Sequence, residues 1–365
     1  MAGTLSYNVV RIPLKTPFET SFGRLIDRNA IIFSLDIDGI LAYSEAVTDI
    51  DPFYGYEFNQ GLLYLVSRFM SKFLAKSSSP SEFLELSKVV KGNNMAKAAI
   101  EMLMWDYEAR KQNKPLFKLL GETKNMVSVG ISIGMDTNAN MIKRIESSLR
   151  EGYKRIKVKI KKGKEMSILR SIRDFYPEIV LTADANADYT INDIEILKKI
   201  DRFDLQYIEQ PLNHDDLLDH SRLAKEISTP ICLDESITDP EKARKAFDLG
   251  SCSVINIKPG RVGGLLNSVR IAEIVKENGG HCWIGGMLET GIGRAFNISL
   301  ASLKNVDYPG DTSPNSRYFE MDIVKNPFIM RNGKIKPSEI EGSGAVVDKQ
   351  RILDYTVESG ILKEW

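Results

Sequence analysis

The segments that decide the fold are RIKVK (155–159), IVLTAD (179–184), LQYIE (205–209), ICLD (231–234) and VINIK (254–258). Each is a short apolar run that ends on a charge: Lys159, Asp184, Glu209, Asp234 and Lys258, at intervals of 25, 25, 25 and 24 residues. About 25 residues is the length of one strand, one helix and two loops. A repeat of that length with a charge at each strand end describes a (β/α) barrel whose strand tips converge on one site. Extending the spacing reaches Gly134 on one side and Trp283 and Tyr308 on the other, which gives the eight strands that close a parallel barrel. The intervening text reads as helix, for example at 191–199, 240–249 and 267–278.

Residues 1–124 do not follow this period. They open with strand-like text (LSYNVVRIPL, AIIFSLDI) and a turn signal at Asp38-Gly39. In MAKAAIEMLMWDYEAR, which follows, Met95, Ala98, Ala99, Met102 and Leu103 share one helical face. Beyond about residue 320 there are short strand-like pieces (GKIKP, GAVVD) and no further βα unit. The expected fold is therefore α/β. A TIM-type (β/α) barrel spans 125–320, an α+β capping domain spans 1–124, and the C-terminal segment 321–365 returns to the cap.

Composition fits a cytoplasmic enzyme acting on a small molecule. The 49 basic and 49 acidic residues cancel, so nothing in the charge points to nucleic acid or an anionic membrane. No apolar stretch approaches the roughly 20 residues that cross a bilayer, and no signal peptide is read at the N-terminus. Cys232, Cys252 and Cys282 form no CxxC pair and read as inert buried thiols in a reducing compartment. A symmetric homo-oligomer is the default assembly.

Asp184, Glu209 and Asp234 end three consecutive strands, and neighbouring strands lie about 4.8 Å apart. Three carboxylates in one small region repel and raise one another's pKa, a conflict that a divalent cation removes. All-oxygen donors suit Mg²⁺, and the absence of Cys or His at these strand ends argues against zinc. Alternation along the second strand turns Ile156, Val158 and Ile160 outward and Lys157 and Lys159 into the barrel, where bulky apolar residues are the rule. Lys258 lies four strands on, roughly opposite Lys159. A lysine acting as base near neutral pH needs its pKa lowered from about 10.4 to about 7–8, and a neighbouring cation such as Lys157 or a metal does this. A base beside a metal that holds a carboxylate suits removal of an α-proton through an enediolate.

These residues resemble the enolase superfamily, over nearly the whole chain: TPFETSFG, MAKAAIEMLMWDYEAR, RIKVKI, DAN, IEQPL, CLDES, NIKPGRVGG and GGMLETGIGRAFNISLASL. The Lys-x-Lys pair with an opposed Lys is similar to the muconate-lactonising subgroup. The last two motifs, with PGDTSPNSRYF, look most like the o-succinylbenzoate synthase / N-acylamino acid racemase family. The resemblance implies a modified, enolase-like barrel and Mg²⁺, with Mn²⁺ able to substitute, held by Asp184, Glu209 and Asp234. It implies Lys159 as the acid/base and Lys258 as either a cation for the enediolate or a second acid/base. Lys157, Asn186 and Ser132 match substrate-contacting positions, and Glu289 a supporting one. Two cap loops, 16–23 and 52–56, match segments that close over the mouth, with Phe18, Phe22, Phe53 and Tyr54 shaping the substrate pocket. The activity implied first is o-succinylbenzoate synthase, a dehydration in menaquinone synthesis, with N-succinyl (N-acyl) amino acid racemase as the second. Muconate cycloisomerase and dipeptide epimerase come third; the Asp-x-Asp that epimerases carry at strand eight is not found at Asn305-Val306-Asp307. None of His214, His220 and His281 stands where a His-Asp base pair would, which disfavours the mandelate-racemase branch.

Overall fold

The computed structural model describes residues 3–20, 23–53 and 55–365. The chain opens with three antiparallel strands, β1 (Gly3–Thr20), β2 (Gly23–Ile37) and β3 (Ile40–Ala46). The β2–β3 hairpin turns at Asp38-Gly39, where φ is 53° and 81°. Two successive positive φ values make a type I′ turn, whose twist matches that of the flanking strands. Helix α1 (Asn94–Lys111) then lies across this sheet. Ala96, Ala99, Ile100 and Leu103 pack it into a core with Leu5, Ile31, Phe33 and Leu35. Ala98, Met102 and Ala109 belong to the barrel core instead. A helix apolar on two faces is buried between two layers, and α1 joins cap to barrel in this way.

Seven parallel strands follow in sequence order: β4 (Gly130–Ile133), β5 (Arg155–Lys159), β6 (Leu181–Asp184), β7 (Ile208–Glu209), β8 (Ile231–Leu233), β9 (Val254–Ile257) and β10 (His281–Ile284). The longer helices around them are α2 (Asn138–Arg150), α3 (Glu165–Phe175), α4 (Pro240–Asp248), α5 (Leu265–Glu277) and α6 (Gly291–Ala301). The helix expected over 191–199 is a 3₁₀ turn at Ile191–Asp193 running into a short α-helix, Ile194–Lys198. β11 (Thr356–Glu364) pairs antiparallel with β1 and completes the cap sheet in the order β11-β1-β2-β3. Among the described residues no helix is long and apolar enough to cross a membrane.

The eighth barrel position differs from the expected strand ending at Tyr308. It is an irregular segment, 307–311, that closes the ring without a ladder. Asp307 N and Tyr308 N donate to Cys282 O (3.2 and 3.1 Å), Asp311 N donates to Ile284 O (3.0 Å), and Gly130 N donates to Gly310 O (2.9 Å). Two residues explain the irregularity. Pro309 has no N–H to give, and Gly310 stands so close to β10 that an added Cβ would lie 2.5 Å from Ile284 O. The tip of the eighth position is thus Asp311. Gly310→Ala is expected to force β10 and this segment apart, at a cost of roughly 1–3 kcal/mol, seen as a lowered melting temperature by circular dichroism. An unchanged melting temperature would mean that closure does not depend on this close approach.

Candidate active site

Along β5 the side chains of Arg155, Lys157 and Lys159 enter the barrel, while Ile156 and Val158 join the surrounding apolar core. Lys157 is buried among the acids of the mouth, 5 % exposed. Its Nζ lies 2.8 Å from Asp311 Oδ2, 2.9 Å from Glu209 Oε2 and 3.6 Å from Asp184 Oδ2, and 4.7 Å from the centre of the Trp283 ring. Burial opposes its charge, but Asp311, Glu209 and Asp184 hold the ammonium well above its ordinary pKa. Arg155, fully buried below it, donates to Asp311 Oδ1 (2.9 Å) and to Pro309 O (2.8 Å).

Lys159, at the end of β5, is 25 % exposed and donates to Asp184 Oδ2 (2.9 Å) and to Asn186 Oδ1. Across β7 and β8, Lys258 donates to Asp234 Oδ2 (2.7 Å) and Arg261 donates to Asp234 Oδ1. Between these pairs stands Glu209, fully buried, its Oε1 accepting from Asn256 Nδ2 (2.8 Å). Burial and the nearby Asp184 charge push Glu209 up to about 8. Burial acts the same way on Asp234, but Arg261 and Lys258 outweigh it and hold the group at about 2. Parallel pairing fixes this order, since Lys159, Asp184 and Glu209 are successive partners across β5, β6 and β7.

The expected depression of the Lys159 pKa is not met in this arrangement. Burial lowers it, but Asp184 is near enough to leave the ammonium above its ordinary value. The cause is that Asp184 draws its compensating charge from Lys159 and Lys157.

Asn186 has a left-handed backbone (φ 42°), and its Nδ2 donates to Glu235 Oε1 (3.1 Å). Ser132 sits beside Lys157 in register, partly buried. Glu289 accepts from Met287 N (2.8 Å) and pairs with Arg294 (3.0 Å), whose Nη1 donates to Asp311 O (2.7 Å). Glu289 and Lys258 both line a water-sized cavity of about 20 Å³ under the cap. Phe53 is 69 % exposed; Phe22 and Tyr54 lie outside the described residues. His281 stacks on Tyr308 and pairs with Asp307, and His220 Nε2 accepts from Leu212 N (3.1 Å). The three cysteines are free and buried.

The structure adds residues that the sequence reading passed over: Arg155, Glu235, Asn256, Arg261 and Asp311. Arg155 stands two positions before Lys157, read as inward, and Asn256 two positions before Lys258, read as a strand end facing the site, so strand alternation points to both. With the eighth tip at Asp311, the epimerase comparison belongs to Asp311-Thr312-Ser313, which is again not Asp-x-Asp.

Whether these residues suit a divalent cation can be judged from the donors. Asp184, Glu209 and Asp234 offer only hard oxygens on adjacent strand ends, and Glu209 Oε2 is buried with the Lys157 ion pair (2.9 Å) but no hydrogen bond of good geometry. Both features fit Mg²⁺. In this arrangement the lysines and Arg261 occupy the carboxylates, and among the described residues no three acidic, His or Cys side chains form a ready metal cluster.

Comparison with known proteins matches the family model described as "Enolase C-terminal domain-like" to residues 140–351. It matches "Mandelate racemase / muconate lactonizing enzyme, N-terminal domain" to residues 4–121. An o-succinylbenzoate synthase of Geobacillus kaustophilus is 42 % identical, over 98 % of this chain and 97 % of the relative. An N-succinylamino acid racemase of Thermus thermophilus is also 42 % identical, over 92 % of each. The crystal structure of an enolase-superfamily member from Listeria innocua superposes with a TM-score of 0.96 at 35 % identity, over 99 % of each chain.

Asp311→Asn tests the buried ion cluster. It removes one carboxylate shared by Lys157 and Arg155 and is expected to cost about 3–5 kcal/mol in denaturant unfolding. Lys157 and Arg155 hold the Asp311 carboxyl well below its ordinary range against the effect of burial. A group depressed on folding contributes its stability above its unfolded pKa, about 3.9. The gap between wild type and variant is therefore full above about pH 4 and narrows as pH falls further. A gap independent of pH would mean that the cost is one of packing.

Proposed function

Because the chain belongs to the mandelate racemase / muconate lactonizing enzyme family of the enolase superfamily, we propose that it catalyses removal of the proton α to a carboxylate by Lys159. The reaction we assign first is o-succinylbenzoate synthesis, the loss of water from a cyclohexadiene carboxylate bearing a succinyl chain. The observation that carries this reading is the flanking of the three acids by two lysines. Lys159 stands on Asp184 at one end, Lys258 on Asp234 at the other, and Glu209 lies between. The relatives of both kinds at 42 % identity support the same chemistry.

In this reading Asp184, Glu209 and Asp234 hold Mg²⁺, with Mn²⁺ as a substitute. When bound, the cation supplies Lewis-acid stabilisation of charge on the substrate carboxylate. Lys159, the more open lysine, reaches the α-proton. Asn186 accepts a hydrogen bond from its ammonium and orients it. Lys258 faces the other side of the substrate and offsets the charge of the enediolate. Lys157, pinned by Asp311 and Glu209, keeps a fixed positive charge beside Lys159. Ser132 and Asn186 contact substrate, Glu289 and Arg294 brace Asp311, and the cap loops with Phe22 and Tyr54 close the pocket. We take 1–124, with the returning strand β11 (Thr356–Glu364), as the capping unit and 125–320 as the catalytic barrel, on whose core Ile323, Val324 and Ile335 also pack.

N-succinylamino acid racemisation is the second reading, favoured by the Thermus thermophilus relative at equal identity. It uses the same residues with Lys258 as a proton carrier. Side-by-side kcat/KM for the synthase substrate and a panel of N-succinyl amino acids orders the two activities. The synthase substrate is expected to be the better; a larger value for any N-succinyl amino acid reverses the order. Lys159→Ala is expected to lower both activities by at least about 10³-fold while unfolding at the wild-type temperature. Dehydration at an undiminished rate in this variant would exclude Lys159 as the base.

A further inference from the structure

The cap reaches the segment that carries Lys258. Asn94, the first residue of α1, donates through Nδ2 to Arg261 O (3.0 Å) and to Thr238 O (2.8 Å). These carbonyls belong to the two barrel segments that follow β8 and β9. About two turns along α1, Glu101 accepts from Leu265 N (2.8 Å) and Leu266 N (3.0 Å), the first turn of α5. The first grip falls three residues after Lys258, in Lys258-Pro259-Gly260-Arg261, and Val262-Gly263-Gly264 connects it to the second. Gly264 has φ 113°, and a Cβ there would lie 2.4 Å from Glu101 Oε2. The Lys258 segment is thus moulded against α1.

The start of α1 is itself fixed from the cap. Asn93, at the N-cap, is left-handed (φ 52°) and makes no capping bond. Glu57 takes its place, accepting from Met95 N (2.8 Å) and Ala96 N (3.0 Å), so that the exposed helix donors are satisfied. Lys159 is held differently: its bonds to Asp184 and Asn186 stay within the barrel.

We propose that Asn94 is a positioning residue for Lys258. Its amide bridges two barrel carbonyls and keeps the Lys258–Arg261 segment in register with Asp234, so the cap helix serves one face of the substrate. This rests on the reading that Lys159 and Lys258 face the substrate from opposite sides.

Asn94→Asp tests it, because the shape is kept while the donor that faces both carbonyls is replaced by an acceptor. With Mg²⁺ in D₂O, proton NMR follows loss of the α-proton from the separate D and L forms of an N-succinyl amino acid. Exchange from one enantiomer, the one that Lys258→Ala also suppresses, is expected to slow by about 10-fold or more. Exchange from the other enantiomer remains near the wild-type rate. Asn94→Ala, which removes the donor without adding repulsion, should fall between. Equal slowing of both enantiomers, or of neither, overturns the proposal and leaves Asn94 a general structural contact. If the wild type exchanges neither enantiomer, the two-faced proton-transfer reading is what fails. The positioning role is then decided by dehydration: a lowered kcat with unchanged KM upholds it, and an unchanged kcat overturns it.

Discussion

Charge balance inside the barrel mouth is the constraint on which the rest of the site depends. Asp184, Glu209, Asp234, Glu235 and Asp311 bring five carboxylates, buried or half-buried, into one region, and Arg155, Lys157, Lys159, Lys258 and Arg261 bring five cations. A buried charge is tolerated only when it is paired and hydrogen-bonded. The lysines meet that demand at a chemical cost, because an ammonium that compensates Asp184 keeps its proton. For Lys159 to take a proton, something else must neutralise the acids. A divalent cation does so, and its arrival would free the lysine on the side where the α-carbon lies. The base and the metal proposals are therefore linked: in this cluster neither makes chemical sense alone.

Directional contacts attach the cap to this cluster. Glu45 of β3 accepts from Thr290 N (2.9 Å), Thr290 Oγ1 (2.7 Å) and Gly293 N (2.8 Å) at the start of α6, while Glu101 of α1 does the same for α5. Burial pushes both carboxyls up to about 7 despite these hydrogen bonds. Carboxylates at helix N-termini are stabilised by the helix dipole and by the free N–H groups. Apolar packing alone would let the two layers slide. Two such caps, on the helices that follow β9 and β10, set the angle at which the cap meets the mouth.

Much of this was legible because parallel barrels repeat. Equal spacing placed Lys159, Asp184, Glu209, Asp234 and Lys258 at strand ends, and alternation turned Lys157 inward. The eighth position was misread by three residues because Pro309 and Gly310 replace a ladder with a close approach. That shift hid Asp311, the partner of both Lys157 and Arg155. Arg261 and Asn94 lie off the strands, and their importance comes from tertiary contacts that no local period encodes. Glu57 was similarly silent: a helix capped by a residue 36 positions before Asn93 leaves no sequence signature.

The same geometry bears on which reaction the site favours. Dehydration of a cyclohexadiene carboxylate needs one fixed positive charge and one lysine that takes the α-proton and then gives a proton to the departing hydroxyl, since loss of water yields an aromatic ring and no proton has to be returned to the opposite face. Racemisation asks more, because Lys258 must also exchange a proton. Lys159 is 25 % exposed and bonded partly to a neutral amide. Lys258 is 9 % exposed and bonded to Asp234, a carboxylate held strongly ionised by Lys258 and Arg261. A cation held by the three acids would draw on Asp184 and Asp234 alike, so what separates the two lysines is enclosure: Lys159 is the more open and Lys258 sits on a segment gripped by α1. The open Lys159 suits the α-proton removal that both reactions share, and the grip on Lys258 is the natural place for racemase activity to be raised or lost.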